Sequence, residues 1–453
     1  MKEIRLNAFV MNSVTHSHQG LWRHPRDHSL DYTNLEYWIE FAKLLERGKF
    51  DGIFMADGLG VYDVYGGSPE AAIRSGVMIP KNDPSLLVSA MAAATKHLGF
   101  GITFSVTDEV PYSFARKIST LDHITNGRIG WNIVTGFLES AAKAKGDERM
   151  IGHDERYVIA EEFMDVVYRL WEQSWEDDAV LRDVENGIYA DPSKVHRIQH
   201  DGKYFKLDAV HMSEPSPQRT PVLYQAGTSS KGVEFAGRHA ECVFINGPRP
   251  SVVGGRVKKI REAAVEQGRS PHDIQTLMSI NVIAAPTDSE AEAKHAEYSR
   301  YIDPEGSLVR LSGFIGTDLS KLDLNGPIKS ISTNSIQSIL ENLTKGNPER
   351  PWTVADVANS LDRDGVQPIV VGSPKTVADE LERWVVEADV DGFNLIVPIK
   401  PESMSDFVEL VVPELQRRGM FKKEYGTGTL RDKLYGKGAK TPANHPSAKV
   451  RLR

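Results

Sequence analysis

Residues 225–232 read QAGTSSKG, a set of residue types suited to holding a phosphate. An apolar run ends at Gln225, Gly227 permits a tight turn, and three hydroxyls, Thr228, Ser229 and Ser230, precede a helical pattern. Backbone N–H groups at a helix start, the helix dipole and hydroxyls together make such a cradle. The same residues also suit a plain helix cap. His153 and Tyr157 stand four residues apart at the start of another helical pattern, so both side chains reach one ligand. In NGRIGWNIVTG, residues 126–136, an apolar run carries Asn132 and ends on Thr135 and Gly136. A buried amide needs hydrogen-bond partners. Either a bound polar group or a bridge between strand ends is therefore expected beside Asn132.

The elements that position these residues alternate along the chain. Apolar runs over Ile4–Met11, Gly52–Ala56, Phe100–Val106, Ile129–Val134, Pro221–Ala226, Cys242–Asn246, Met278–Ala284 and Gly392–Pro398 are continuous rather than period-two, as in strands buried on both faces. Amphipathic helical patterns separate them. Thr33 with Glu36 reads as a capping box before a stripe of Leu35, Trp38, Ile39, Ala42 and Leu45, and Asp83-Pro84 and Ser373-Pro374 read as caps followed by proline. Eight strands with crossover helices predict an α/β fold, a TIM (β/α)8 barrel with insertions. An open doubly wound sheet is the alternative, weakened because no GxGxxG follows the first strand.

Residues 1–425 are expected to form that single barrel, with insertions at 137–219 and 303–366 and an extended surface arm at 426–453 that could pack on a neighbouring subunit. The first insertion holds a helix, His153 to Trp175, and a hairpin turning at Asp201-Gly202; the second has weak helical patterns near Ile336–Leu343 and Val354–Leu361. Connections this long in a compact domain are usually lids or binding segments.

A parallel barrel builds its active face from the carboxyl ends of its strands. Those ends supply Ser13 and His16, then Asp57, then Thr103, then Asn132 and Thr135, and lastly Gln225 to Ser230 and Asn246. Hydroxyls, amides and a single carboxylate suit holding a cofactor better than covalent catalysis. A metal is not expected. His196 and His200 fall on a predicted hairpin, His24 and His28 flank a proline, and no HExxH is present. The net charge of -8 argues against nucleic acid or an acidic membrane surface as partner. One cysteine, Cys242, sits in an apolar run, and the N-terminus carries no signal-peptide pattern, so a cytoplasmic protein is expected.

Longer stretches are more specific. NAFVMNSVTH, LERGKFDGIFMADGLGVYDVY, STLDHITNGRIGWNIVT, GHDERY, EPSPQRTPVLYQAG and VPELQRRG run through almost the whole chain in order. Through them the chain resembles the flavin-dependent monooxygenases of the bacterial luciferase superfamily, in the nitrilotriacetate monooxygenase component A branch. The resemblance implies an FMNH2- and O2-dependent, two-component enzyme. An NAD(P)H-dependent flavin reductase would supply the reduced FMN, and a homo-oligomer, dimer or tetramer, is expected. The enzyme would oxygenate a small apolar organic compound, an organosulfur or similar one, through a flavin C4a-(hydro)peroxide.

By the same resemblance, Asp57, Thr103, Asn132 and Thr135 surround the flavin ring, while His153, Tyr157, Thr228, Ser229 and Ser230 hold its ribityl phosphate. Ser13, Phe54, Phe137 and Phe244 line the substrate pocket beside His16. His16, on the active face, is the candidate for a proton-donating role that suits a near-neutral pKa; a histidine merely fixing its loop is the alternative. Alkane-hydroxylating members carry cysteine at the position of Ser13 and histidine at that of Phe137, which argues against long-chain alkane hydroxylation. A deazaflavin-dependent oxidoreductase and a non-catalytic flavin-binding protein are the remaining alternatives.

Overall fold

Eight parallel strands close into a barrel: β1 (Arg5–Met11), β2 (Gly52–Ala56), β3 (Gly99–Ser105), β4 (Ile129–Val134), β5 (Val222–Gln225), β6 (Cys242–Ile245), β7 (Gln275–Ala284) and β8 (Gly392–Ile396). Each pairs with the next, and β8 returns to pair with β1, which excludes an open sheet. The computed structural model describes residues 2–227, 229–328, 336, 339, 343, 352–359 and 368–451. Among the described residues, no helix is long and apolar enough to cross a membrane.

The strands form because their apolar residues serve two interfaces at once. On β4, Trp131 packs outward against Phe114, Phe163 and Trp171 from helices Pro111–Ile124 and His153–Gln173. Asn132 and Val134 line an interior chamber. Lower in the barrel, the rings of Phe9, Phe54, Phe244 and Tyr224 stack in sequence at centroid distances of 4.9, 4.0 and 5.3 Å. Gly130 makes room for this layer, since a Cβ there would lie 2.4 Å from the Tyr224 ring.

Several local expectations shift. Helix Leu35–Arg47 is capped by Asn34, whose side chain accepts from Glu36 N, in place of Thr33. Its buried stripe is Trp38, Phe41, Ala42, Leu44 and Leu45, with Leu35 exposed. Ser373 does cap helix Pro374–Ala388, whereas Asp83 caps only one short turn, Pro84–Leu87. The hairpin Ile198–Asp201/Lys206–Ala209 turns at Lys203-Tyr204, two residues beyond the expected Asp201-Gly202, with Gly202 N donating to Phe205 O. A second hairpin, Val180–Asp183 with Ile188–Ala190, is added beside it. A short strand, Ile369–Gly372, extends the sheet along the upper half of β7. In the second insertion, helices Pro304–Ile315 and Val354–Ala358 are present. Most of the expected Ile336–Leu343 pattern lies outside the described residues.

The expected surface arm instead closes the amino-terminal end of this same barrel. Helix Leu430–Tyr435 buries Leu430 and Leu434 against the aromatic layer. The Arg431 guanidinium donates to Glu241 at 2.6 and 2.8 Å and to the carbonyls of Thr220 and Pro221 at 3.0 and 2.8 Å. Leu434 O accepts from Arg5 and Gln275, at the starts of β1 and β7. The lysines around 430–435 disguise a buried turn with leucines four residues apart.

Candidate active site

At the carboxyl ends of the strands the barrel opens into two adjoining chambers. The first, about 240 Å3, is lined by Phe9, Phe54, Phe137, Phe244 and Phe314 and by the polar groups of His16, Asp57, Thr103 and Asn132. The second, about 220 Å3, is lined by Thr135, His153, Tyr157, Gln225 and Ser229. Val134, Phe137 and Ala226 border both. Strand ends far apart in sequence, from Met11 to Ile245, thus converge on one space, as the barrel closure requires.

Two of the expected site residues, Ser13 and Ser230, are absent from those walls. Ser13 is buried and turned aside, its hydroxyl donating to Thr15 O at 2.6 Å. Ser230 is exposed on the first turn of helix Ser230–His239. Thr228 lies outside the described residues.

Asn132 answers the need for partners in two ways. Its Nδ2 donates to Thr103 Oγ1 at 3.0 Å, and the Thr103 hydroxyl in turn donates to Met55 O at 3.0 Å, so the amide bridges strand ends. Its Oδ1 is buried without a donor among the described residues, as is Gln225 Oε1. Buried polar atoms in native proteins find partners in water or ligand, so two acceptors point into the chambers for a donor from outside the chain.

Ser229 caps helix Ser230–His239 by accepting from Gly232 N at 3.1 Å, and its Oγ lies 3.4 Å from His153 Nε2. His153 and Tyr157 do face one chamber, as their spacing predicts. Burial raises the Tyr157 pKa, and Ser229 and Gln225 oppose the shift through hydrogen bonds. Between them stands Arg156, buried, lining both this chamber and the adjoining cleft beside Ser105 and Asp108.

Asp57 faces Lys81, with Nζ 3.9 Å from Oδ1, and Lys81 also donates to Gly58 O. Desolvation raises the Asp57 pKa against the pull of Lys81, and lowers that of Lys81. His16 is enclosed: Nδ1 lies 3.1 Å from Ser17 Oγ, and Phe9 meets its ring edge-on at 4.4 Å. Burial, then the charges of Lys400 and Arg310, hold its pKa well below 6.5. The near-neutral pKa expected of His16 is therefore corrected; its ring is neutral at pH 7. Cys242 is buried, with its thiol pKa pushed up by desolvation, which fits a core residue.

Arg156, Lys81, Tyr62 and Arg310 also line the chambers and are missing from the residues expected there. Arg156 sits inside the GHDERY stretch, where its position between His153 and Tyr157 was the available signal. His196 and His200 pair with Glu176 at 2.8 Å and Glu162 at 3.1 Å. Among the described residues no group of three or more His, Cys, Asp or Glu is placed to hold a metal ion.

Comparison with known proteins adds to this geometry. The family model described as luciferase-like monooxygenase matches residues 11–392. The chain is 48% identical over 451 residues to dimethyl-sulfide monooxygenase of Hyphomicrobium sulfonivorans, covering 99% of this chain and 94% of that one. It is 49% identical over 451 residues to long-chain alkane monooxygenase of Geobacillus thermodenitrificans, covering 99% and 98%. A crystal structure of riboflavin lyase with modified FMN and the substrate riboflavin superposes with a TM-score of 0.93 at 38% identity, covering 100% of both chains.

Proposed function

The chain belongs to the luciferase-like monooxygenase family and is a flavin-dependent monooxygenase, and on that premise we propose that it uses reduced FMN and O2 to oxygenate a small, largely apolar organosulfur compound. Under this reading an NAD(P)H-dependent flavin reductase delivers the reduced FMN. The observation that carries it is the pair of joined chambers: one aromatic with a buried amide acceptor, the other lined by hydroxyls, a histidine and a guanidinium. Their residues fit a flavin mononucleotide. Asn132 Oδ1 offers an acceptor for a ring N–H, and Thr103 and Thr135 flank it. Ser229, His153, Tyr157 and Arg156 would hold the phosphate, for which a buried arginine supplies charge as well as hydrogen bonds.

When bound and reduced, the flavin supplies the electrons that activate oxygen. The chain's own residues orient the cofactor and exclude water, which keeps activated oxygen from decaying. The Phe54, Phe244 and Phe9 layer makes the chamber dry on one side, and Phe137 and Phe314, 5.7 Å apart, cover another. A chamber of about 240 Å3 favours a small substrate. His16 orients a polar atom there through its neutral ring.

The test supplies reduced FMN and oxygen and screens sulfides, sulfones, amines and alkanes for oxygenated products. Product from a sulfide in step with flavin oxidation supports the reading. Oxygen uptake uncoupled from every organic compound overturns it in favour of a binding protein, and no reaction of reduced FMN with oxygen favours a deazaflavin enzyme.

A further inference from the structure

Two methionines line the aromatic chamber, in the space assigned to an organosulfur substrate. Met11 ends β1, and Met78 follows helix Glu70–Ser75; each is 5% exposed. Their segments are tied together: Asn82 N donates to Asn12 O at 2.8 Å, and Met78 N donates to the Thr15 hydroxyl at 3.4 Å. The backbone thus holds both side chains on the chamber wall that also carries His16. Other methionines stand elsewhere. Met212 is 62% exposed on the surface, whereas Met55, Met91 and Met164 are packed in the main core.

A methionine side chain is a thioether, the same functional group as a simple organosulfur substrate, and its polarizable sulfur suits an aromatic surround. A chamber that transfers oxygen to sulfur therefore carries two further sulfur atoms in its own wall. Oxidation to the sulfoxide makes such a side chain polar and disrupts the apolar surface it belongs to.

We propose that Met11 and Met78 are sites of self-oxidation, converted to methionine sulfoxide when oxygen is activated in a chamber that holds no substrate. The inference rests on the oxygenase reading, and under it a bound substrate shields the wall. In each event the sulfur lone pair forms an S–O bond as the O–O bond breaks. Dioxygen takes four electrons, two from reduced FMN and two from sulfur. Its second oxygen atom leaves as water, with the two hydrogens that reduced FMN gives up. Restoring the thioether then requires a methionine sulfoxide reductase.

The test turns the full chain over with reduced FMN and oxygen, without an organic substrate, and maps its peptides by mass spectrometry. Catalase is present to destroy hydrogen peroxide that escapes. Met11, Met78 or both should gain one oxygen, about 16 Da, while Met212, which reports peroxide in bulk solvent, stays unmodified. Leaving out FMN should abolish the gain, and adding diethyl sulfide should suppress it. Met11→Leu/Met78→Leu, close in volume, should remove the gain and slow the decline in turnover that accompanies it in wild type. Oxidation of Met212 as readily as of the chamber pair overturns the proposal. So does oxygenation of added diethyl sulfide when Met11 and Met78 stay unmodified in its absence, and that result leaves the oxygenase reading standing. Neither methionine sulfoxide nor oxygenated diethyl sulfide would overturn both. The wild-type map decides even if the variant fails to fold.

Discussion

Replacing His16 with asparagine tests what a neutral imidazole in the chamber does. The ring is 4% exposed and hydrogen-bonded at Nδ1 to Ser17, and burial with Lys400 and Arg310 keeps it uncharged well below pH 6.5. A cationic general acid would contribute about 10²- to 10⁴-fold, but a neutral donor contributes one hydrogen bond. That is about 0.5–1.5 kcal/mol, or roughly 2- to 13-fold in how activated oxygen divides between product and hydrogen peroxide. His16→Asn should therefore raise the ratio of peroxide to oxygenated product by that factor in single-turnover reactions with reduced FMN. FMN affinity and the thermal midpoint should stay near wild type. Because the ring stays neutral across this range, the difference between wild type and variant should be flat from pH 6 to 8. A loss beyond about 100-fold, or a difference that titrates near 6.5, would refute the neutral-donor reasoning. A parallel fall in stability and FMN affinity would instead show a residue that only fixes its loop.

The cradle gives the next prediction. Arg156→Gln and Ser229→Ala should each weaken FMN more than riboflavin, by about 1.5–3 kcal/mol for a charge-assisted bond; equal losses would remove them from the phosphate. Since Ser229 also caps a helix, its change should cost about 1 kcal/mol of stability as well. At the barrel base, Arg431→Ala strands the Glu241 carboxylate and should cost about 3–5 kcal/mol in urea unfolding. Adding Glu241→Gln should restore part of that, with FMN affinity unchanged throughout; a loss under about 1 kcal/mol would show the pair is dispensable. Acid should destabilise the fold through His18 and His211, whose pKa values burial lowers from 6.5 to about 3 and about 4. Depressed folded values mean that their stability is fully present above 6.5 and is lost as pH falls towards 4 and 3. At pH 5 each should account for about 2 kcal/mol in urea midpoints, and His18→Asn should remove its share; an unchanged midpoint between pH 7 and 5 would contradict both burials.

The strands were legible because burial on both faces imposes unbroken apolar runs, so β2 and β4 carry the boundaries expected of them. Their ends then placed Asp57, Thr103, Asn132 and Thr135 on the chambers, since strand direction alone decides which end faces a ligand. Orientation within a loop was not legible. Ser13 follows β1 as His16 does, yet a backbone carbonyl two residues on captures its hydroxyl. The cations Lys81 and Arg310 escaped because nothing local marks them; helices and loops far apart in the chain deliver them to one wall. Hairpin Val180–Asp183/Ile188–Ala190 escaped for the opposite reason, being so exposed that no apolar period marks it.

The closure of the barrel base has a kinetic side. Leu434 O accepts from Arg5, 429 positions earlier, and from Gln275, 159 positions earlier. Helix Leu430–Tyr435 follows all eight strands in the chain, so a ribosome delivers it only after every staple of the cylinder has been synthesised. Until then Tyr224 and Phe244 have water beneath them where Leu430 and Leu434 belong. Docking this short segment joins residues 429 positions apart, the kind of long-range contact that contact-order arguments place among the slow, aggregation-exposed steps of folding.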